Sequence, residues 1–115
     1  MDKNTKKRYK EEFENKNVEM GILVIKNKEN RKVFLKPTLN AEAWINKTKF
    51  MLKNGQFENT ELQNDWTTLG ENNFSFEMIA VLKENENQFF DYRKELTKMK
   101  QAVYEGLLKN EVEHY

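Results

Sequence analysis

Apolar and polar positions change period several times along this chain, and each change marks an element. In 20-MGILVIKNKENRKVFLK-36 two short apolar runs flank a polar turn. That pattern predicts a β-hairpin with strands at about 20–26 and 32–36. Asn30-Arg31 stands where a two-residue turn would favour Asn-Gly, so a longer loop is expected. Pro37 lacks a backbone donor and is expected to end the second strand. Asn40 then caps a helix over AEAWINKTKFMLKN, whose positions 41, 44, 45, 48, 51 and 52 keep the helical period, with Gly55 closing it. A second helix over about 59–69 carries Leu62, Trp66 and Leu69 and ends at Gly70.

NFSFEMIAVL (73–82) alternates and then runs apolar, as a central strand buried on both sides would. After the polar KENENQ, residues 89–109 predict a long helix with Leu96, Met99, Val103 and Leu107 along one stripe. Residues 4–16 predict an outer helix anchored by Tyr9 and Phe13 and supported by Lys7–Glu11 and Lys10–Glu14 pairs. The predicted order is α-β-β-α-α-β-α, an α+β fold with a small three-stranded antiparallel sheet flanked by helices. It divides into a helical N-terminal extension (1–19), one domain (20–110) and a frayed tail (111–115).

Composition narrows the chemistry more than the fold. The 34% of charged residues and mean hydropathy of −0.97 would suit a disordered chain, but 12% aromatics can anchor a core. Without cysteine there is no thiolate metal site, cysteine nucleophile or disulfide. No run reaches membrane-spanning length and no signal-peptide segment opens the chain, so a cytoplasmic protein is expected. Residues 1–53 hold 14 Lys and Arg against 7 Asp and Glu, while residues 54–115 hold 6 against 12. A basic front half suits a polyanion if its charges share a face. His114, close to the C-terminus, and Ser75, with no histidine in any motif nearby, make poor catalytic groups. No glycine-rich phosphate loop is present.

These words in this order resemble the GIY-YIG nuclease family. The matching words are Gly21-Ile22-Leu23, Phe34-Leu35-Lys36, the helix 40-NAEAWINKT-48 against N-L-x-x-R-W-x-x-H, and Phe57-Glu58-Asn59 against H-x-N. LQNDWTTLGENNFSFEMI (62–79) is similar to the family's L-Q-x-D-W-x-x-x-G-x-x-x-F-x-F-E-x-L, and the resemblance covers about residues 20–108. It implies a sheet-and-helix nuclease fold that cleaves phosphodiesters with tyrosine, arginine, histidine and a metal-binding glutamate.

The departures decide what is expected of this chain. The first tyrosine falls on Leu23, the second on Phe34 and its glycine on Lys36. The arginine falls on Trp44, the two histidines on Thr48 and Phe57, and the asparagine is kept as Asn59. The glutamate falls on Lys100, with Glu95 one turn away. Leucine and phenylalanine have no hydroxyl to relay a proton, indole cannot clamp a phosphate, and lysine repels a divalent cation. Leu23, Phe34, Trp44 and Phe57 are expected to turn a charged site into an apolar cleft. No cofactor is expected, and Mg²⁺ or Mn²⁺ enters only if other residues have taken over cleavage.

The expectation is an inactive relative that binds DNA or RNA through Lys26, Lys32, Lys36, Lys47, Lys49 and Asn59. One alternative is a protein-interaction or structural module using the Trp44/Phe34 cleft. The other is a metal-dependent endonuclease with substituted catalytic residues.

Overall fold

The computed structural model describes residues 19–87 and 89–115. The helix expected over 4–16 lies outside the described residues. The elements are β1 (Met20–Asn27), β2 (Val33–Thr38), α1 (Ala41–Lys53), α2 (Thr60–Leu69), a short 3₁₀ turn (Glu71–Asn73), β3 (Phe74–Leu82) and α3 (Tyr92–Lys109). The three strands form an antiparallel sheet in the order β2-β1-β3.

β1, not β3, is the central strand. Its Ile22, Leu23, Val24 and Ile25 are all buried, and alternation divides them between two cores. Ile22 and Val24 join Val33 and Leu35 of β2 and Leu96 of α3. Ile25 faces the other way, onto Leu52, Phe57, Leu62, Trp66 and Phe74. β3 was expected in the middle, yet only Phe74 of it is buried, and Ile79 and Val81 are 43% and 54% exposed. The reason is non-local. A register shift opposite Ile22/Leu23 interrupts the ladder beside the apolar run of β3, and the core beneath α3 is built from β1 and β2.

Pro37 does not end β2, which continues to Thr38 with Pro37 opposite Ile22. Val33 turns its backbone groups away from β1, bonding Glu113 and Tyr115 instead, so Leu35 and Pro37 face outward too by alternation. A missing N–H on the outer side of an edge strand costs no ladder bond. The hairpin loop, residues 28–32, is longer than two residues as expected, and Arg31 in it adopts φ 65°.

The helix ends follow the expected chemistry. Asn40, Asn59 and Asp91 accept from the N–H groups of Ala43, Leu62 and Lys94. Gly55 and Gly70 adopt φ 71° and 90° beyond the C-termini of α1 and α2. α3 starts at Tyr92 rather than 89, because Asp91 caps it. Of its stripe, Leu96 is buried, and Met99, Val103 and Leu107 pack partly exposed on the β1–β2 core. On α2, Leu69 is 38% exposed, while Gln63 is buried beside Leu62 and Trp66.

The tail was expected to fray, but it lies against the sheet. Val33 N–H donates to Glu113 at 3.0 Å and Tyr115 N–H donates to Val33 at 2.9 Å, giving a parallel bridge at His114. Open groups on an edge strand are a ready partner for such a segment.

Gly21 is fixed by close approach. A Cβ there would sit 2.0 Å from the Ala80 carbonyl oxygen, on a backbone with φ 154°. Gly21→Ala is expected to destabilise the domain by about 2–3 kcal/mol through overpacking at the β1–β3 ladder. A shift of the urea midpoint to lower concentration checks it.

Candidate functional site

Alternation along β2 sends Phe34 and Lys36 to the α1 side of the sheet, while Val33 and Leu35 point toward α3. Trp44 projects from the first turns of α1, and Phe57 from the loop before α2. The three rings meet. Phe34 and Phe57 are edge to face with centroids 5.3 Å apart, and Phe34 and Trp44 are nearly parallel at 6.5 Å. Such aromatic pairs contribute about 0.5–1.5 kcal/mol beyond the area they bury. Leu23 is fully buried on β1, on the same sheet face as Ile25 by alternation. Thr48, one turn beyond Trp44, is fully buried, and its hydroxyl has no hydrogen-bond partner among the described residues. An unpaired buried hydroxyl costs about 1–3 kcal/mol.

Gln63 holds the loop that carries Phe57. Its Oε1 accepts from the Phe57 N–H at 3.0 Å and its Nε2 donates to the Leu52 carbonyl at 2.9 Å. Sequence reasoning passed over Gln63. The signals were a polar residue beside Leu62 on the buried face of α2 and its place as the glutamine of the L-Q-x-D-W pattern.

The lysines expected to hold a polyanion do not all share one surface. Lys36 places Nζ 5.9 Å from the Trp44 ring centroid, and Lys47 is exposed on α1. Lys49 lies 5.2 Å from the Phe76 ring on the β3 flank of α1. Lys32 pairs with Glu61 and sits 5.6 Å from the Tyr115 ring. Its hydrogen bond to Glu61 raises the ammonium above its ordinary pKa. Asn59 is occupied as the cap of α2. Lys26 is on the opposite sheet face, beside Arg31, Leu107 and Val112, because it shares the alternation of Ile22 and Val24.

An open pocket of about 410 Å³ adjoins the aromatic cluster. Phe34 and Lys36 line it from β2, Lys100 and Tyr104 from α3, and His114 and Tyr115 from the tail. Among the described residues, Glu58 is the one carboxylate side chain on its wall. Lys100, where the sequence resemblance puts the glutamate, lines this pocket, whereas Glu95 pairs with Lys98 at 3.6 Å. A divalent cation does not fit here. Two ammonium groups face a single carboxylate, and no three His, Cys, Asp or Glu side chains gather as ligands among the described residues.

The tail contributes more than its position suggested. The His114 ring packs on Tyr104 at 4.6 Å, and its Nε2 is buried with no partner among the described residues. Burial first, and the nearby Lys100 ammonium second, hold its pKa below the ordinary histidine value. The Tyr115 hydroxyl donates to Asp65 Oδ2 at 2.6 Å. It also accepts from Asn27 Nδ2 at 2.9 Å. Asn27 is fully buried, and its Oδ1 accepts from Asn73 Nδ2 at 2.7 Å and from the hairpin N–H of Glu29 at 2.9 Å. Burial and the Asp65 bond push the Tyr115 hydroxyl up to about 12.

The fold matches known structures at low sequence identity. The catalytic domain of the homing endonuclease I-TevI superimposes with a TM-score of 0.53 at 19% identity, over 73% of this chain and 91% of that one. A point mutant of the same intron endonuclease domain gives 0.53 and 19%, over 74% and 88%. The three-stranded antiparallel sheet with its helices is thus a GIY-YIG-like fold. No family model and no curated protein matches the chain. No described helix is long and apolar enough to cross a membrane.

Tyr115→Phe removes a hydroxyl shared by the buried Asn27 and the half-buried Asp65. It is expected to cost about 1–2 kcal/mol, read as a drop in the urea midpoint, with Asn27 and Asp65 left short of a bond. His114 gives a pH signature. Its folded pKa lies below the unfolded value of about 6.5, so the folded state disfavours the proton. Stability should be level above that pH and decline as pH falls through and below it. His114→Gln should flatten that decline in a urea series across the same range.

Proposed function

We propose that this domain binds nucleic acid on a nuclease-like fold and does not cleave it. One observation carries the reading: Lys36 and Lys100 face one pocket, beside the Phe34–Trp44 pair, where the family's catalytic groups would converge. Ammonium groups from two separate elements suit phosphate oxygens, and the contact they make is independent of sequence. The opposing charge on the wall is the exposed Glu58.

The same residues argue against cleavage. Phosphodiester hydrolysis needs an activated nucleophile and compensation of the charge that develops on the phosphate. Leu23 and Phe34 offer no ionisable hydroxyl, and Trp44 no guanidinium. Tyr115 does reach the pocket, but with its pKa pushed up to about 12 and its proton directed at Asp65, it is a poor base at neutral pH. Lys100 supplies a fixed positive charge in place of a metal ligand. A cytoplasmic setting belongs to this reading.

A second reading, a protein-interaction module, is favoured by a different feature. β3 is an edge strand with Ile79 and Val81 exposed, on the side of the sheet away from β2.

Gel shift over a salt series separates these. Binding to DNA or RNA is expected at about 50 mM salt and should fall steeply toward about 200 mM. No shift at the lowest salt would contradict the nucleic-acid reading and leave the interaction module. Supercoiled plasmid held with excess protein and Mg²⁺ or Mn²⁺ should stay intact; nicking would show that substituted residues cleave.

A further inference from the structure

The lysines around the pocket would suit any polyanion, but the rings between them are selective. Trp44 and Phe34 are both half-buried, so each keeps part of its surface open. Lys36 lies 5.9 Å from the Trp44 ring, putting a cation directly beside the aromatic surface. On the outer surface of α1, Lys47 and Phe50 stand one turn apart, and Phe50 is 65% exposed. Past Phe34 the pocket of about 410 Å³ adds Lys100 and the rings of Tyr104 and Tyr115. Cations and aromatic side chains thus adjoin one another on α1 and again at the pocket beside β2.

A duplex has no use for half of that arrangement. Its base faces are covered by stacking, and it shows a protein only phosphates, sugars and groove edges. A single strand offers both partners at once, an unstacked base for each ring and a phosphate for each lysine. The pocket volume lies in the range of about 300–1,000 Å³ that suits small ligands, so one unstacked base has room.

We infer that the polynucleotide bound here is single-stranded, with bases laid on Trp44 and Phe50 and phosphates held by Lys36, Lys47 and Lys100. The inference rests on the nucleic-acid reading above. It adds a role to Phe50, a side chain that the core does not use. It also explains why losing arginine to tryptophan at position 44 leaves a group that can still engage nucleic acid, through a base face rather than a phosphate.

Fluorescence anisotropy with a short labelled DNA strand, its RNA counterpart and the annealed DNA duplex tests this at about 50 mM salt. A single strand is expected to bind at least about tenfold tighter than the duplex and to quench tryptophan emission. Trp66 is 5% exposed, so the quenching reports Trp44. Trp44→Leu should weaken single-strand binding at least about fivefold and Trp44→Phe much less, since phenylalanine keeps a ring face. Phe50→Ser, at a surface position where folding is not in question, should weaken it without lowering the melting temperature. Equal or tighter duplex binding would overturn the single-strand inference and leave the nucleic-acid reading standing. Binding to neither would overturn both. Single-strand binding unchanged in Trp44→Leu and Phe50→Ser would remove the aromatic surfaces from the site.

Discussion

Everything in this domain leans on one strand being buried on both faces. Four consecutive apolar residues of β1, Ile22 to Ile25, are buried, and three of them join two cores, Ile22 and Val24 under α3 and Ile25 under α1 and α2. Each such side chain contributes about 1.5–3 kcal/mol when fully buried, and no other strand carries so many. Gly21 lets this strand lie tight against β3, where any Cβ would meet the Ala80 carbonyl. With β1 in the middle, β2 becomes an edge. Its α1-facing side chains then hold the cleft, and its open backbone groups at Val33 take the tail.

The cleft that results is apolar where the sequence resemblance would put ionisable groups. A site that activates water needs ionisable groups held in place, and these need their charges balanced. Here Phe34, Trp44 and Phe57 pack on one another, and Gln63 secures the loop behind them. The charge that remains belongs to lysines at the margin, where water still reaches them. Asp65, Asn27 and Tyr115 form the nearby buried polar network, and their bonds are satisfied by each other and by the hairpin. Its physical role is to join the tail, the hairpin and α2.

What could be read in the sequence was mostly local. Asn40, Gly55 and Gly70 marked helix ends because capping depends on a few neighbouring atoms. The hairpin and the stripe of α3 followed from period alone, and the meeting of Phe34, Trp44 and Phe57 followed from the family's arrangement of its motifs. The misses share a cause, since each depends on which segments pair. The run in β3 looked central because its letters are apolar, but sheet order is set by long-range pairing. Pro37 seemed to end a strand because nothing local says that β2 is an edge. The tail has little apolar character, and it docks through backbone groups at the sheet edge, the Tyr115 hydroxyl and the packing of Val112, His114 and Tyr115. Lys26 is the instructive case, because the period of two already sets it apart from Lys36 once the strand bounds are known.

The central claim is that the rebuilt cleft, and not the opposite sheet face, meets nucleic acid. Titrating a short single strand into isotopically labelled protein, and following backbone and indole N–H resonances, tests this most directly. The account expects shifts concentrated at Lys36, Trp44, Lys47 and Lys100, with the Trp44 indole moving and that of the buried Trp66 staying still. Shifts centred on Lys26 and Arg31, or none at all at low salt, would contradict it.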